Sequence, residues 1–281
     1  MTWQEIEACG NGRVPILTAM LGCVRTKGAM PHLLWNLYAR CYDRITGLFP
    51  YQEMLDEVVA ALDVRPGMRV LDAGCGTGAL AERLAVRHPD IELVAADLSS
   101  SMLKRARARR TWPASFTFVE DNIDDVLAND ERGFDGIASV NVIWTLPDPQ
   151  RTLARMTARL RDGGRMVHTT PSWRFRAHAI IWQHLRGHHG WARLRALGGL
   201  PVLALAGLLN LVLVVRSMLF ARAPGARKRW HADGLAELLR SAGAPPKTTR
   251  PCYAGQNLLL VCEKEVAGAS ATRLPVPANH L

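Results

Sequence analysis

Residues 68–80 read MRVLDAGCGTGAL, and this stretch decides the fold. Its first part, MRVLDA (68–73), is a short apolar run of the kind that forms a buried β-strand. The next five residues, GCGTG (74–78), form a glycine-rich turn, and a helical segment begins at Ala79. Such a turn lets a ligand approach the backbone, with the N–H groups of the helix N-terminus facing it. The pattern therefore predicts a ligand site between the first strand and the following helix.

Apolar runs and segments with helical spacing alternate downstream of this turn. The runs predict further buried strands at 92–96, 116–119, 135–140 and 165–170. The segments between strands predict helices at 79–86, 101–109 and 150–160. Continuous apolar strands are typical of a parallel sheet covered on both faces. The alternation therefore predicts an α/β, doubly wound, Rossmann-like fold.

Further elements flank this core on both sides. We predict two helices over 32–62 with a break near 46–50, and a late helix at 233–242 followed by a hairpin at 247–253 and 257–263. The predicted domains are an N-terminal helical cap (1–64), a core (65–265) and a disordered tail (266–281). A long apolar and basic helical insertion (172–229), which would associate with a membrane or form a lid, interrupts the core before its last helix.

Composition excludes several classes of protein. Of 281 residues, 48% are hydrophobic and 21% are charged, which argues against disorder and collagen-like repeats. The six cysteines form no CxxC pair, so neither a zinc ribbon nor a secreted disulfide framework is expected. The N-terminus lacks the basic region of a signal peptide, and reduced thiols fit a cytoplasmic protein.

The net charge of +10 is concentrated in one part of the chain. Residues 163–232 hold eleven basic and no acidic residues, which indicates an anionic partner. Within them, ALGGLPVLALAGLLNLVLVV (196–215) has no charge. A single membrane span is not expected, because the helix and hairpin that follow must rejoin the sheet. We predict an element that lies on or enters an anionic cytoplasmic leaflet; a core helix or a dimer interface is the alternative.

Asp97 at the end of the second predicted strand narrows the ligand class. An acidic residue there can accept hydrogen bonds from both hydroxyls of a ribose. Gly74, Gly76 and Ala79 also satisfy the dinucleotide-binding pattern. On these residues alone, a nicotinamide dinucleotide and S-adenosylmethionine both remain open.

Several segments together resemble the class I S-adenosylmethionine-dependent methyltransferases. The matching segments are VLDAGCGTGAL (70–80), AADLSSSML (95–103), EDNI (120–123), NVIWTLPDP (141–149) and LRDGGRMV (160–167). The resemblance covers about 30–170 together with 230–263, and it implies a seven-stranded sheet and S-adenosylmethionine as cofactor. Because of YARCYD (38–43), the chain is most similar to the quinone and phospholipid methyltransferase branch.

The resemblance implies roles for matched positions. Gly74 and Gly76 would lie against the amino-acid part of the cofactor. Asp97 would bind the ribose hydroxyls, and Leu98 would pack on the adenine. Asp121 or Asn122 would meet the adenine amino group, with the Ile123 backbone beside it, and Asn141 would line the pocket beneath the sulfonium. The remaining cofactor contacts implied are Tyr38, Asp72 and Met102. For Asp72 a purely structural bond to the glycine loop is the alternative.

The candidate catalytic residues are His168 and Tyr42. Methyl transfer is an in-line displacement that requires a base only if the nucleophile carries a proton. We place His168 at the end of the fifth strand on the ligand side of the sheet, where it is the best candidate base; a packed histidine is the alternative. Tyr38 and Tyr42 share a helix face and would cover the cofactor or pack in the core. His184, His188 and His189 have metal-compatible spacing, but an interface is favoured and no metal is predicted.

We therefore predict methylation of a lipophilic, membrane-resident small molecule: a lipid amine, a quinone or a hydrophobic natural product. The protein would be cytoplasmic and associated peripherally or monotopically with the inner face of the cell membrane. A tRNA or rRNA methyltransferase that uses the basic insertion is an alternative, although NVIWTLPDP (141–149) lacks the NPPY-type motif. Two further hypotheses are a nicotinamide-dependent oxidoreductase and an inactive membrane adaptor. The acceptor atom and the oligomeric state remain open.

Overall fold

The computed structural model describes Ala39 and residues 42–171, 176–188 and 232–265. Seven strands form one sheet in the order β3-β2-β1-β4-β5-β7-β6. The strands are β1 (Arg69–Ala73), β2 (Glu92–Asp97), β3 (Phe116–Glu120), β4 (Phe134–Val140), β5 (Leu160–Pro171), β6 (Pro246–Cys252) and β7 (Asn257–Glu263). Neighbouring strands are parallel except at β7, which runs antiparallel to both β5 and β6.

Helices cover both faces of this sheet. They are α1 (Phe49–Leu62), α2 (Ala79–Arg87), α3 (Ser100–Ala108), α4 (Ile123–Asn129), α5 (Pro149–Arg159), α6 (Ala177–Arg186) and α7 (Ala232–Ser241), with a 3-10 turn at Ile143–Thr145. Residues 42–46 form a further helical segment ahead of α1. One buried cluster joins α1, α2 and α3 to one face of the sheet, and a second joins α4, α5 and α7 to the other. Because both faces are buried, the strands carry apolar residues almost without interruption.

The strand order creates the edge at which a ligand can bind. β1 pairs with β2 on one side and with β4 on the other, so the chain winds outward in both directions from this point. In open α/β sheets, ligands bind outside the carboxyl ends of the strands at such a switch point. The glycine loop after β1 and the segments after β2 and β4 therefore meet at one edge.

The predicted doubly wound, seven-stranded fold is confirmed, with local differences. The helix break falls at Gly47 and Leu48, and α1 resumes with Pro50 in its first turn, where proline is tolerated. β5 begins at Leu160 rather than at 165, because a register irregularity opposite β4 accommodates the extra residues of RDGG (161–164). The seven-residue α4 was not predicted from the sequence; it begins where Asn122 caps it.

Several predicted regions lie outside the described residues. These are most of the N-terminal cap (1–64), the tail (266–281), and the insertion (172–229) apart from 176–188, which contain α6. The apolar run 196–215 is among them. Within the part of the chain that the structure describes, no helix has both the length and the apolar character required to cross a bilayer.

Candidate active site

The glycine loop adopts a backbone conformation that residues with a Cβ atom rarely adopt. Gly74, Gly76 and Gly78 have φ values of +80°, +56° and +79°, in the left-handed region that favours glycine. The Gly74 N–H donates to the Ala96 carbonyl at 2.8 Å, which ties the loop to β2. A Cβ on Gly74 would lie 2.4 Å from Val142 Cγ2. Gly74 is therefore required for packing against the chain that leaves β4, a role that the sequence did not suggest.

Asp97 closes the loop from the end of β2. Its Oδ2 accepts from the Gly76 N–H at 2.8 Å, and its Oδ1 accepts from the Ser99 N–H at 2.9 Å. Burial raises the pKa of this carboxyl, and the backbone donors at Ser99 and Gly76 oppose that rise. A carboxylate has about four lone-pair sites, so Asp97 can also accept bonds from ligand hydroxyls. Ser99 in turn caps α3 by accepting from the Met102 N–H, and the Met102 side chain is buried.

The segments after β2 and β3 lie side by side, since Asp97 is in register with Glu120. Leu98 leaves 46% of its surface exposed at this edge, which is unusual for a large apolar residue in such a core. Asn122 uses its side-chain oxygen to accept from the Asp124 N–H and cap α4. Of the two candidate acceptors for an adenine amino group, Asp121 is therefore the better placed; its Oδ1 accepts from the Asn122 N–H at 2.7 Å. Ile123 is buried directly after them.

Asn141 occupies the end of β4 in a strained conformation. Its φ is +59°, a region that non-glycine residues seldom adopt and that is concentrated at functional sites. Its N–H donates to the carbonyl and the hydroxyl of Thr169 on β5. Its Oδ1 accepts from Asn257 Nδ2 at 2.7 Å, and its side chain lies near the Tyr51 hydroxyl. Bonds to β5 and β7 therefore fix Asn141 beside the glycine loop.

A group of tyrosines lies over this position. The hydroxyl oxygens of Tyr42 and Tyr51 are 3.1 Å apart, and the Tyr51 and Tyr253 rings make an edge-to-face contact at 5.5 Å. A Cβ on Gly76 would lie 3.2 Å from Tyr42 Cε1, so the Tyr42 ring covers the loop. Burial, followed by the neighbouring Tyr42, raises the Tyr51 pKa well above its ordinary value. Tyr42 is thus placed to enclose a ligand; Tyr38 lies outside the described residues.

Asp72, beneath this group, is a buried carboxylate with one oxygen unpartnered in the described part of the chain. Its Oδ2 has no hydrogen-bond partner among the described residues, and the residue is 1% exposed. Burial, with a smaller contribution from Asp97, raises its pKa to about 7. A buried charge without a partner is costly, so an ionised Asp72 calls for a cation. Oδ2 therefore makes no bond to the glycine loop.

His168 does not join this group. It is in register with Ser139 and Leu260, and side chains alternate along β5, so it lies on the α4, α5 and α7 face, whereas Asp72 lies on the other. It is fully buried, neither ring nitrogen has a partner within the described part of the chain, and burial lowers its pKa to about 4. His168 therefore lies on the face opposite Asp72, and the geometry gives no support to a role as base.

The remaining histidines of the predicted cluster are structural where the chain is described. His184 Nδ1 accepts from the Phe49 N–H at 3.0 Å and so caps α1, and its ring contacts His188. Burial lowers the pKa of His184. His189 lies outside the described residues, and within them no group of side chains could hold a metal ion.

Sequence reasoning missed four residues that build the site: Tyr51, Thr169, Tyr253 and Asn257. Tyr51 falls on the buried face of α1, where the spacing indicated only core packing. Asn257 carried a usable signal, because it is the one polar residue that opens the otherwise apolar run NLLLVC (257–262). Its contact with Asn141, 116 positions earlier in the chain, was not readable from the sequence.

Comparison with known proteins finds similarity to methyltransferases. Residues 70–164 match the model of a methyltransferase domain. A trans-aconitate 2-methyltransferase of Deinococcus radiodurans is 32% identical over 41% of this chain and 43% of that protein. A ubiquinone biosynthesis O-methyltransferase of Alkalilimnicola ehrlichii is 28% identical over 41% of this chain and 47% of that protein. The chain thus spans less than half the length of the curated relatives it matches.

Solved structures share the fold. A methyltransferase from Haloferax volcanii, solved with its Trm112 activator, superposes with a TM-score of 0.56 at 16% identity, over 82% of this chain and 94% of that one. The magnesium protoporphyrin IX methyltransferase of Synechocystis, solved with bound S-adenosylhomocysteine, gives 0.50 at 17% identity, over 94% and 93%.

A glycine loop after β1, an acid at the end of β2 and a sheet closed by an antiparallel β7 define the class as a Rossmann-like methyltransferase fold. Residues 70–164 carry a methyltransferase domain with the features of the class I, S-adenosylmethionine-dependent type, and its cofactor is S-adenosylmethionine.

The residues present fit this cofactor. The Asp72 carboxylate, with its Oδ2 unpartnered among the described residues, lies on the same face as Tyr51 and offers a negative charge to the α-ammonium group of the cofactor's amino-acid part. The glycine loop offers backbone approach, Asp97 offers acceptors for the ribose, and the exposed Leu98 offers an apolar surface for the adenine.

Cofactor affinity is expected to rise with pH up to about 7, because Asp72 must lose its proton to attract a cation. Below that pKa the carboxyl is neutral, so the Kd measured by calorimetry should increase by up to tenfold per pH unit toward pH 5.5. This range stays below the pKa of about 8 that is ordinary for an α-amino group. Asp72→Asn should remove the dependence; an unchanged slope in that variant would assign the titration to another group.

The same pKa has a consequence for stability in the ligand-free protein. The folded state keeps a proton on Asp72 that an unfolded aspartate releases near pH 4, so this group lowers stability as the pH rises from about 4 to about 7. Asp72→Asn is therefore expected to melt no lower than the wild type at pH 8, which separates its effect on binding from misfolding.

Proposed function

We propose that this protein transfers a methyl group from S-adenosylmethionine to a lipophilic small molecule of the quinone or lipid class. The observation that carries the acceptor class is a groove of about 490 Å³ between α6, the start of α1 and the β6–β7 turn. Its lining is largely aromatic and small: Phe49, Ala179, Trp182, Gly187 and Ala254, with Glu53, Gln183 and Arg186. Concave sites of this size with a few polar groups suit small organic ligands.

The groove is next to the cofactor side of the molecule. Ala254 is in the β6–β7 turn, and Asn257 after it pairs with Pro171 at the end of β5, so the turn lies at the carboxyl edge. Tyr253 beside Ala254 packs on Tyr51, whose hydroxyl lies near Asn141. An acceptor in the groove would therefore approach Asn141 past the tyrosine pair. The similarity to ubiquinone O-methyltransferases is compatible with this class of acceptor.

Catalysis would depend on the position of the acceptor atom relative to the methyl group of the cofactor. Bound S-adenosylmethionine supplies an electrophilic methyl group on a sulfonium. The chain must hold an electron-rich acceptor atom about 3 Å from that methyl group and in line with the sulfur. Asn141, fixed by Thr169 and Asn257, would set the floor of the site, and Tyr42 would exclude water from above. With His168 on the opposite face, an acceptor that is already nucleophilic, or that loses its proton late, suits the site best.

The reaction is tested by incubating the protein with methyl-labelled S-adenosylmethionine and three acceptors offered separately: an alkylated catechol that mimics a quinol, phosphatidylethanolamine vesicles and bulk tRNA. We expect label in the organic phase from one of the first two, and none with Asp97→Ala. Label in tRNA would support a nucleic-acid methyltransferase instead. Cofactor binding without label in any acceptor or in a total membrane lipid extract would favour the inactive adaptor.

Association with a membrane surface is the second part of the proposal. α6 leaves Ile181 and Trp182 exposed by 40% and 60%, and the Arg186 guanidinium stacks 4.0 Å from the Trp182 ring. Aromatic and aliphatic side chains beside arginines are typical of helices that bind anionic interfaces. The same part of the chain continues into the uncharged run 196–215 with its flanking arginines.

Flotation with vesicles measures this association. The full chain should float with vesicles that contain phosphatidylglycerol and less with pure phosphatidylcholine, and added salt should weaken the first interaction. Trp182→Ser should lower the bound fraction severalfold. Val86→Ser is the matched control, because Val86 is 67% exposed on α2, away from α6. A chain that ignores both vesicle types at low salt would contradict the proposal.

A further inference from the structure

Arg109, directly after α3, joins three separate elements through one guanidinium group. Its Nε donates to the Thr77 carbonyl at 2.9 Å, and its Nη1 donates to Glu82 Oε2 on α2 at 2.8 Å. Its Nη2 donates to Asp43 Oδ1 at 2.8 Å and to Thr77 Oγ1 at 3.2 Å. All three nitrogens of the Arg109 guanidinium therefore have hydrogen-bond partners. Of these partners, only Thr77 belongs to the glycine loop.

Two of these partners, Thr77 and Asp43, connect the glycine loop to the helical segment that carries Tyr42. Thr77 is fully buried between Gly76 and Gly78, so a bond to Thr77 is a bond to the glycine loop itself. Asp43 follows Tyr42 in the helical segment 42–46, and the Tyr42 ring covers Gly76. Through Arg109, the loop below the cofactor and the segment above it are held at a fixed separation.

A second arginine, Arg105, also forms an ion pair with Asp43. Arg105 on α3 lies one helical turn before Arg109, and its Nη1 is 3.1 Å from Asp43 Oδ2. Both carboxylate oxygens of Asp43 are therefore occupied. An arginine that makes several bonds in a planar fork loses less conformational freedom per bond than a lone flexible pair, so the cluster holds its geometry better than isolated surface ion pairs do.

We propose that Asp43, Arg105 and Arg109 form a latch that positions Tyr42 over the glycine loop and retains the bound cofactor. Arg109 is a positioning residue, because it acts on the cofactor through Tyr42 and the loop. The latch rests on the cofactor assignment but not on any particular acceptor. While it is closed, Tyr42 keeps water from the loop; when it opens, the segment 42–46 leaves and the cofactor escapes.

The latch is tested with S-adenosylhomocysteine and the full-length protein, without turnover. Asp43→Asn and Arg109→Gln are each expected to speed dissociation about tenfold in stopped-flow measurements, with an association rate within about twofold of the wild type. Glu57→Gln is the matched control, because it breaks the Arg250–Glu57 ion pair elsewhere on α1 and should leave both rates unchanged. Rising salt should speed dissociation from the wild type but not from Asp43→Asn.

The effect of Asp43→Asn in a Tyr42→Ala protein distinguishes the latch from a purely structural role of Asp43. If the latch works through Tyr42, Asp43→Asn adds no further increase in dissociation rate once the ring is gone. Hydrogen exchange of residues 42–46 in the ligand-free protein should also quicken in Asp43→Asn while that of α1 does not. A full tenfold effect in the Tyr42→Ala background, or unchanged exchange in 42–46, would overturn the proposal. An active acceptor reaction with unaltered dissociation in both latch variants would reject the latch and leave the proposed function standing.

Discussion

Asp97→Ala is expected to weaken S-adenosylmethionine binding by well over tenfold. A charged acceptor of hydrogen bonds is worth about 1.5–3 kcal/mol per bond, and a ribose offers two hydroxyls. The structure adds a second cause, because the same carboxylate holds the Gly76 and Ser99 N–H groups. The variant therefore loses ligand contacts and also releases the glycine loop. Calorimetry with the cofactor, alongside the melting temperature of the ligand-free protein, measures both effects.

Asp97→Asn removes part of each contact. The amide keeps one oxygen, which can still accept from one backbone N–H, but it loses the charge, and its NH2 group cannot accept from the other N–H. We expect both its affinity and its melting temperature to lie between those of the wild type and Asp97→Ala. Wild-type affinity in a folded Asp97→Ala protein would show that the ribose does not bind here.

Gly76→Val is expected to abolish measurable cofactor binding, at least a hundredfold loss. Gly76 has φ +56°, a conformation that a β-branched residue resists strongly. A Cβ there already lies 3.2 Å from the Tyr42 ring, and the two methyl groups of valine would extend further. The substitution thus distorts the loop and displaces its cover together. Equilibrium dialysis with labelled S-adenosylmethionine detects any residual binding.

A matched substitution isolates the effect of the site from that of backbone strain. Gly67 precedes β1 with φ +80°, and a Cβ there meets no atom within 4 Å. Gly67→Val imposes similar strain without touching the cofactor loop, so it should lower the melting temperature and leave binding intact. If Gly67→Val lost binding as completely as Gly76→Val, global destabilisation would explain both results.

Several features of this protein follow from the sequence by itself. The apolar runs and the glycine turn after Asp72 are local patterns, since strand periodicity and left-handed turns depend on neighbouring residues. They were sufficient for the doubly wound sheet, for the closing hairpin and for the cofactor loop. The position of Asp97 relative to that loop was also predictable, because a strand–helix–strand unit has a nearly constant length.

Contacts between residues far apart in the sequence were decided only by the tertiary structure. His168 shows this most clearly. Its position along β5 was predicted, but the face that its side chain takes depends on the register of β5 against β4, because adjacent side chains on a strand point to opposite faces. Asn141 and Asn257 meet only because β7 inserts next to β5, and Asp43 and Arg109 meet only because the segment 42–46 lies across α3. Sequence patterns report local periodicity, whereas these contacts depend on strand order and helix packing between segments far apart in the chain.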